Sequence, residues 1–184
     1  MRPTRIVRPV GVLLLGFAPG CSENNDLDPG TFTGRLSGAR TEALAGSAVA
    51  GVVNFEQGVS YTISLLDQGD ESVFLTVNCP GEEAPASGTH SLGTTESECS
   101  ASYRRTVGGP FTTIEQAEAL SGSLVVRDSE RGVIAGSLDF NGPLVAGETQ
   151  KGDLESSATF DAQPIGAADR SSRRLPRPLD RALR

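Results

Sequence analysis

The feature that most constrains this chain is a strict two-residue alternation in its middle. Val59, Tyr61, Ile63 and Leu65 are interleaved with Ser60, Thr62 and Ser64, and after Asp67-Gln68-Gly69-Asp70 the alternation resumes with Val73, Leu75, Val77 and Cys79. Successive side chains on a strand point to opposite faces, so each segment has one apolar face and one polar face. A helix of the same residues would spread the apolar side chains around its whole circumference. The turn residues join the two segments into a hairpin, and a lone hairpin is marginal in water, so its apolar face requires further structure to cover it.

The rest of the chain supplies similar segments. Phe32, Gly34 and Leu36 alternate with Thr31, Thr33, Arg35 and Ser37. Ala43 to Phe55 is a longer strand of small residues with apolar side chains on both faces, central or bent, in which Gly46 and Gly51 mark a bulge or close approach. Glu56-Gln57-Gly58 turns the chain. A second hairpin runs through Leu120, Gly122, Leu124 and Val126, turns at residues 128–132, and returns through Ile134, Gly136, Leu138 and Phe140; Asn141-Gly142 reads as the next turn. Leu154, Ser156, Ala158, Phe160 and Ala162 form a last inward set. Residues 80–96, rich in Gly, Pro, Glu, Ser and Thr, form a surface loop with a short strand at Thr89 to Leu92. Thr113 to Ala119 reads as one or two helical turns capped by Thr113, with Gln116 three residues on.

With 22 Gly, no Trp and 5% aromatic residues, the core has to be built from small and β-branched side chains. The expected fold is all-β: one domain over residues 31–163, an antiparallel β-sandwich or a small meander β-barrel of about eight strands.

At the front, Arg2, Arg5 and Arg8 precede the apolar run Val10 to Ala18. A basic region followed by about nine apolar residues is too short to span a bilayer and has the form of a secretory signal. Ala18-Pro19-Gly20-Cys21 resembles the signal of bacterial lipoproteins, in which a small residue precedes a cysteine that becomes the lipid-bearing N-terminus. That resemblance covers the signal alone. It implies a protein held on an envelope membrane by a lipid on Cys21, and Ser22 after the cysteine implies the outer membrane in a two-membrane cell. Ala18 and Gly20 also fit general signal peptidase cleavage, which leaves a soluble secreted or periplasmic protein. Residues 21–30 form an acidic tether in either case; its Asp26 and Asp28 are too few oxygen ligands for a calcium loop.

Three cysteines in an exported chain divide into Cys21 and one pair, Cys79 with Cys99. Cys79 falls on the inward face of its strand, and Cys99 shares a face with Ala101 and Tyr103, so the expected disulfide is sterically reasonable. Closing that loop stabilises the fold by about 3 kcal/mol in the chain-entropy model. Two cysteines and the lone His90 do not make a four-ligand zinc set.

Residues 22–163 hold 21 acidic against 7 basic side chains, which argues against nucleic acid as a partner of the domain. From Pro164 onward the composition changes to Arg, Pro, Ser and Ala, a solvated tail with six arginines. No nucleophile elbow, His-Glu metal helix or phosphate loop is present, Glu82 and Glu83 lie in a loop, and no cofactor is implied. The favoured function is a noncatalytic β domain with a binding or structural role. The alternatives are an envelope-glycan hydrolase using two carboxylates, or a small barrel carrying an apolar ligand.

Overall fold

The alternating segments fold as strands: β1 (Thr31–Gly38), β2 (Glu42–Phe55), β3 (Gly58–Gln68), β4 (Glu71–Pro80), β5 (Gly88–Leu92), β6 (Ser100–Val107), β7 (Thr113–Glu118), β8 (Ser121–Glu130), β9 (Val133–Ala146) and β10 (Thr149–Pro164). This is a computed structural model, and it describes residues 27–165 apart from 57, 70, 94–98, 108–111, 131–132 and the side chain of Glu130. Among the described residues there is no helix.

All ten strands join one sheet in the order β1-β10-β2-β3-β4-β6-β7-β9-β8-β5. Additional pairing of β9 with β10 closes it into a ring. The hairpin β3–β4 has the register its alternation requires, with Tyr61 opposite Cys79, Ile63 opposite Val77 and Leu65 opposite Leu75. In the second hairpin Leu124 lies opposite Leu138.

The ring departs from a regular barrel in two places. β1 is wedged between β10 and β2, antiparallel to both, and those two touch directly only at Gln163–Val49 and Pro164–Ala50. Between β6 and β9 the wall is shared: β7 pairs with β6 and reaches β9 at Gln116–Val145, while β8 and then β5 extend from β9. A bridge from Leu92 to Cys99 brings β5 back beside the start of β6.

Two expectations are corrected. Thr113–Glu118 is strand β7, not a helical turn: a segment that short does not sustain a helix alone, and the open side of β6 satisfies its backbone, with Ala117 opposite Tyr103. Asn141-Gly142 lies inside β9 rather than at a turn. Gly142 is there for proximity, since a Cβ at this position would stand 2.0 Å from the Glu118 carbonyl oxygen. Gly46 is likewise a close-approach position: its notional Cβ would meet the Leu66 carbonyl oxygen at 2.1 Å.

The interior is filled by the inward faces. Phe32, Leu36, Leu65, Leu75, Tyr103, Leu138, Leu154 and Phe160 are each no more than 1% exposed and belong to one continuous core. Burying a Leu or Phe completely contributes about 2 kcal/mol, so these positions dominate stability. The order is apolar inside and polar outside, the reverse of a lipid-embedded barrel with its polar lumen.

The two mouths of the ring differ. At the end of β4 and the start of β6, a disulfide joins Cys79 to Cys99, with an S–S distance of 2.02 Å and Cα atoms 4.3 Å apart. Both ends of the described chain leave from this side. The Gly30 N–H donates to the Asp161 carbonyl at 2.8 Å, the Ala48 N–H to the Gly30 carbonyl at 2.7 Å, and the Ile165 N–H to the Ala50 carbonyl at 2.8 Å. The opposite mouth is ionic.

Candidate functional site

At the ionic mouth the inward faces of four strands end in charge. Glu42, Glu71, Arg105 and Glu115 lie two residues from the buried Leu44, Val73, Tyr103 and Ala117, and therefore point the same way. Arg105 is 3% exposed. Its Nη1 donates to Glu71 Oε2 at 2.8 Å, its Nη2 to Glu42 Oε2, and its Nε to the Tyr103 hydroxyl at 2.9 Å. Arg40, in the β1–β2 connection, covers the same three acids from outside. Its Nε donates to Glu42 at 3.1 Å, its Nη1 to Glu115 at 3.0 Å, and its Nη2 stands 3.8 Å from Glu71. The Tyr103 hydroxyl donates to Glu115 Oε2 at 3.2 Å.

Titration follows from this geometry. Burial alone would raise Glu42, but hydrogen bonds and charge from Arg40 and Arg105 outweigh it and hold the carboxyl below its ordinary value. Burial would loosen the Arg105 proton, yet hydrogen bonds to Tyr103, Glu71 and Glu42 bind it more tightly than water does. Tyr103 is raised by burial and stays protonated at neutral pH. A general acid for glycoside cleavage needs a carboxyl whose pKa is raised, and Glu42 moves the other way. The cleft over this mouth has a volume of about 470 Å³, and its charged groups are already engaged, Arg40 and Arg105 with the glutamates and Asp67 with the Ala45 N–H. Chemically the cluster is a plug.

On the outer wall, two adjoining hollows of about 380 and 390 Å³ cross β2, β3, β4 and β6 and share Phe55 and Asn78. A third, of about 440 Å³, crosses β1, β10, β9 and β8 and is lined mainly by serines and acids. Two pairs of its polar groups are bonded, the Ser37 hydroxyl donating to Glu155 at 3.0 Å and that of Ser121 to Asn141 at 3.1 Å, whereas the buried Ser156 hydroxyl has no hydrogen-bond partner.

Of the residues singled out in the sequence, Cys79 and Cys99 are joined as expected. His90 sits on β5 with its Nε2 2.7 Å from the Ala86 carbonyl oxygen. Glu82 and Glu83 are exposed in the loop after β4. Cys21, the signal and the acidic positions up to Asp26 lie outside the described residues, as do the six arginines of the tail. Among the described residues no group of three His, Cys, Asp or Glu is placed to hold a metal ion.

The ionic plug is what the sequence reading missed. Arg104-Arg105 stands at the end of a strand, and Arg105 shares its parity with Cys99, Ala101 and Tyr103, the face already assigned to the interior. Fold and site together define a closed all-β domain, stapled at one mouth and ion-paired at the other. No family model, curated protein or solved structure matches the chain.

Proposed function

We propose that this chain is an exported envelope lipoprotein, held by a lipid on Cys21, whose β domain is a noncatalytic binding module working through its outer surface. One observation carries the second half: the ring is packed solid with side chains, and its inward charges are consumed by one another. A carrier of an apolar ligand needs a lined internal space of hundreds of Å³, and here that space holds Leu65, Leu75, Tyr103, Leu138 and their neighbours. A hydrolase needs a carboxylic acid free to give its proton, and the acids of the mouth are tied to Arg40 and Arg105.

The anchoring half rests on the signal pattern Arg2, Arg5 and Arg8, the apolar run and Cys21. It accounts for the odd cysteine, because the other two are paired. Metabolic labelling with a fatty acid is expected to mark the wild type, which should fractionate with membranes, and to leave a Cys21→Ala variant unmarked. Label surviving that substitution ends the lipoprotein reading.

A further inference from the structure

The outer wall of β2, β3, β4 and β6 carries side chains that folding leaves unaccounted for. Phe55 is 49% exposed at the end of β2, and Phe74 points to the same outer side from β4. An exposed aromatic ring does nothing for the core and marks a contact surface when polar groups surround it. Between and beyond the two rings the floor is made of short polar side chains. Thr76 and Asn78 alternate outward along β4, Ser102 lies opposite Thr76 on β6, and Arg104 lies opposite Phe74.

This floor is held in place from beneath. Thr62, opposite Asn78, is 5% exposed although it belongs to the outward face, and its hydroxyl donates to Asn78 Oδ1 at 2.8 Å. That bond fixes the amide and leaves its Nδ2 donors for the groove. The space beside Thr62 is closed because its other partner is Gly51, over which the Ile165 side chain lies. At the far edge β7 places Glu118 opposite Ser102 and Gln116 opposite Arg104. Phe55 and Asn78 stand where the two hollows meet, which makes the depression longer than a single ring-sized ligand.

Hydroxyl, amide and guanidinium donors beside the exposed Phe55 ring and the half-buried Phe74 ring suit a ligand whose rings have one apolar C–H face and a rim of oxygen acceptors. C–H groups lie well on the electron-rich face of an aromatic ring, and the rim matches the short polar side chains. We propose that this groove binds an oligosaccharide, its ring faces against Phe55 and Phe74 and its oxygens bonded to Thr76, Asn78, Ser102 and Arg104. An acyl chain would leave these polar groups without partners, and the arginine-rich tail would bring its positive charge to Arg104.

The proposal deepens the binding reading and is independent of the lipid on Cys21. The test titrates the mature full-length protein with glucose-based and N-acetylglucosamine-based oligosaccharides of two to six rings, followed by calorimetry and by amide NMR, with mass spectrometry of the sugar. Expected are saturable binding of one series, shifts at Thr76, Asn78 and Ser102, and unchanged sugar. Phe55→Ala should weaken binding about tenfold and Asn78→Ala several-fold, while Ser123→Ala on the other wall leaves it unchanged. Folding of each variant is checked by its amide spectrum. No binding by either series at millimolar concentration, or binding indifferent to Phe55→Ala and Asn78→Ala, overturns the proposal. Shifts at these residues produced only by anionic vesicles or by deleting residues 166–184 assign the groove to lipid or to the tail and overturn it as well. Cleaved sugar would sink the noncatalytic reading and leave the groove standing.

Discussion

The two mouths of the ring solve one problem with opposite chemistry. Closing a sheet leaves its ends open to water, and inward residues near an end must be either tied together or made tolerant of solvent. At one mouth the tie is the covalent bond between Cys79 and Cys99. At the other, Arg40 and Arg105 bind Glu42, Glu71 and Glu115, and the hydrophobic interior grades into an ion-paired lid. A disulfide acts mainly by restricting the unfolded chain and is indifferent to pH and salt while oxidised. An ion-pair network acts in the folded state, where removing the buried Arg105 leaves three acids of like charge facing one another with only the half-exposed Arg40 between them.

That difference can be broken experimentally, and the largest effect belongs to the ionic mouth. Arg105→Ala should lower unfolding free energy in urea by about 3 kcal/mol or more, since a nearly buried guanidinium leaves three carboxylates with only Arg40. A loss below about 1 kcal/mol would show that the network merely decorates the rim. The double change Cys79→Ala, Cys99→Ala, or reduction of the wild type, should cost about 2–3 kcal/mol for a sequence separation of 20 residues. The two losses should add, because the sites lie at opposite mouths.

The smallest effect separates the mouths by pH. Glu42 is held below its ordinary value of 4.5, so the folded state binds its proton less readily than the unfolded chain does. Its contribution is fully present above pH 4.5 and is lost as pH falls through the folded value. Urea titrations between pH 3 and 7 should therefore show a stability loss at the acid end that Glu42→Gln abolishes. The loss should persist in the disulfide-free variant. An acid loss that disappeared with the disulfide would refute the assignment to the ionic mouth.

Much of the architecture was legible because a buried face imposes a period of two. The inward sets of β4, β9 and β10 match the expected ones residue by residue, and Cys79 and Cys99 fell on inward positions; in the other strands the match is partial, since Leu120, in line with the inward Leu124 and Val126, is 60% exposed and Thr62, expected to face out, is buried. What failed was local. Asn-Gly is a strong turn signal only where the turn needs a positive φ, and Gly142 instead serves the approach of the Glu118 carbonyl, contributed by a strand more than twenty residues earlier. β7 carried a cap-like Thr113 and Gln116, yet the unpaired side of β6 decided its conformation. The plug was hidden for a related reason. Charge at a strand end normally faces water, and only three other strands ending at the same mouth convert Arg105 into an interior residue. The groove was less legible still, because its rings and short polar side chains are assembled from β2, β4 and β6, and no spacing within one segment signals them.

The wedge of β1 between β2 and β10 sets an order of events. A chain emerging N-terminus first presents β1 early, and β2 can pair with it at once. The far side of β1 waits for β10, as in the contact of Ser37 with Glu155, 118 residues further on. So distant a pairing makes closure slow and cooperative, and until it happens β1 has a free edge able to pair with another chain. The growing chain is thus most exposed to misassociation just before its last strand arrives, and any factor that shields an open sheet edge would act during that interval.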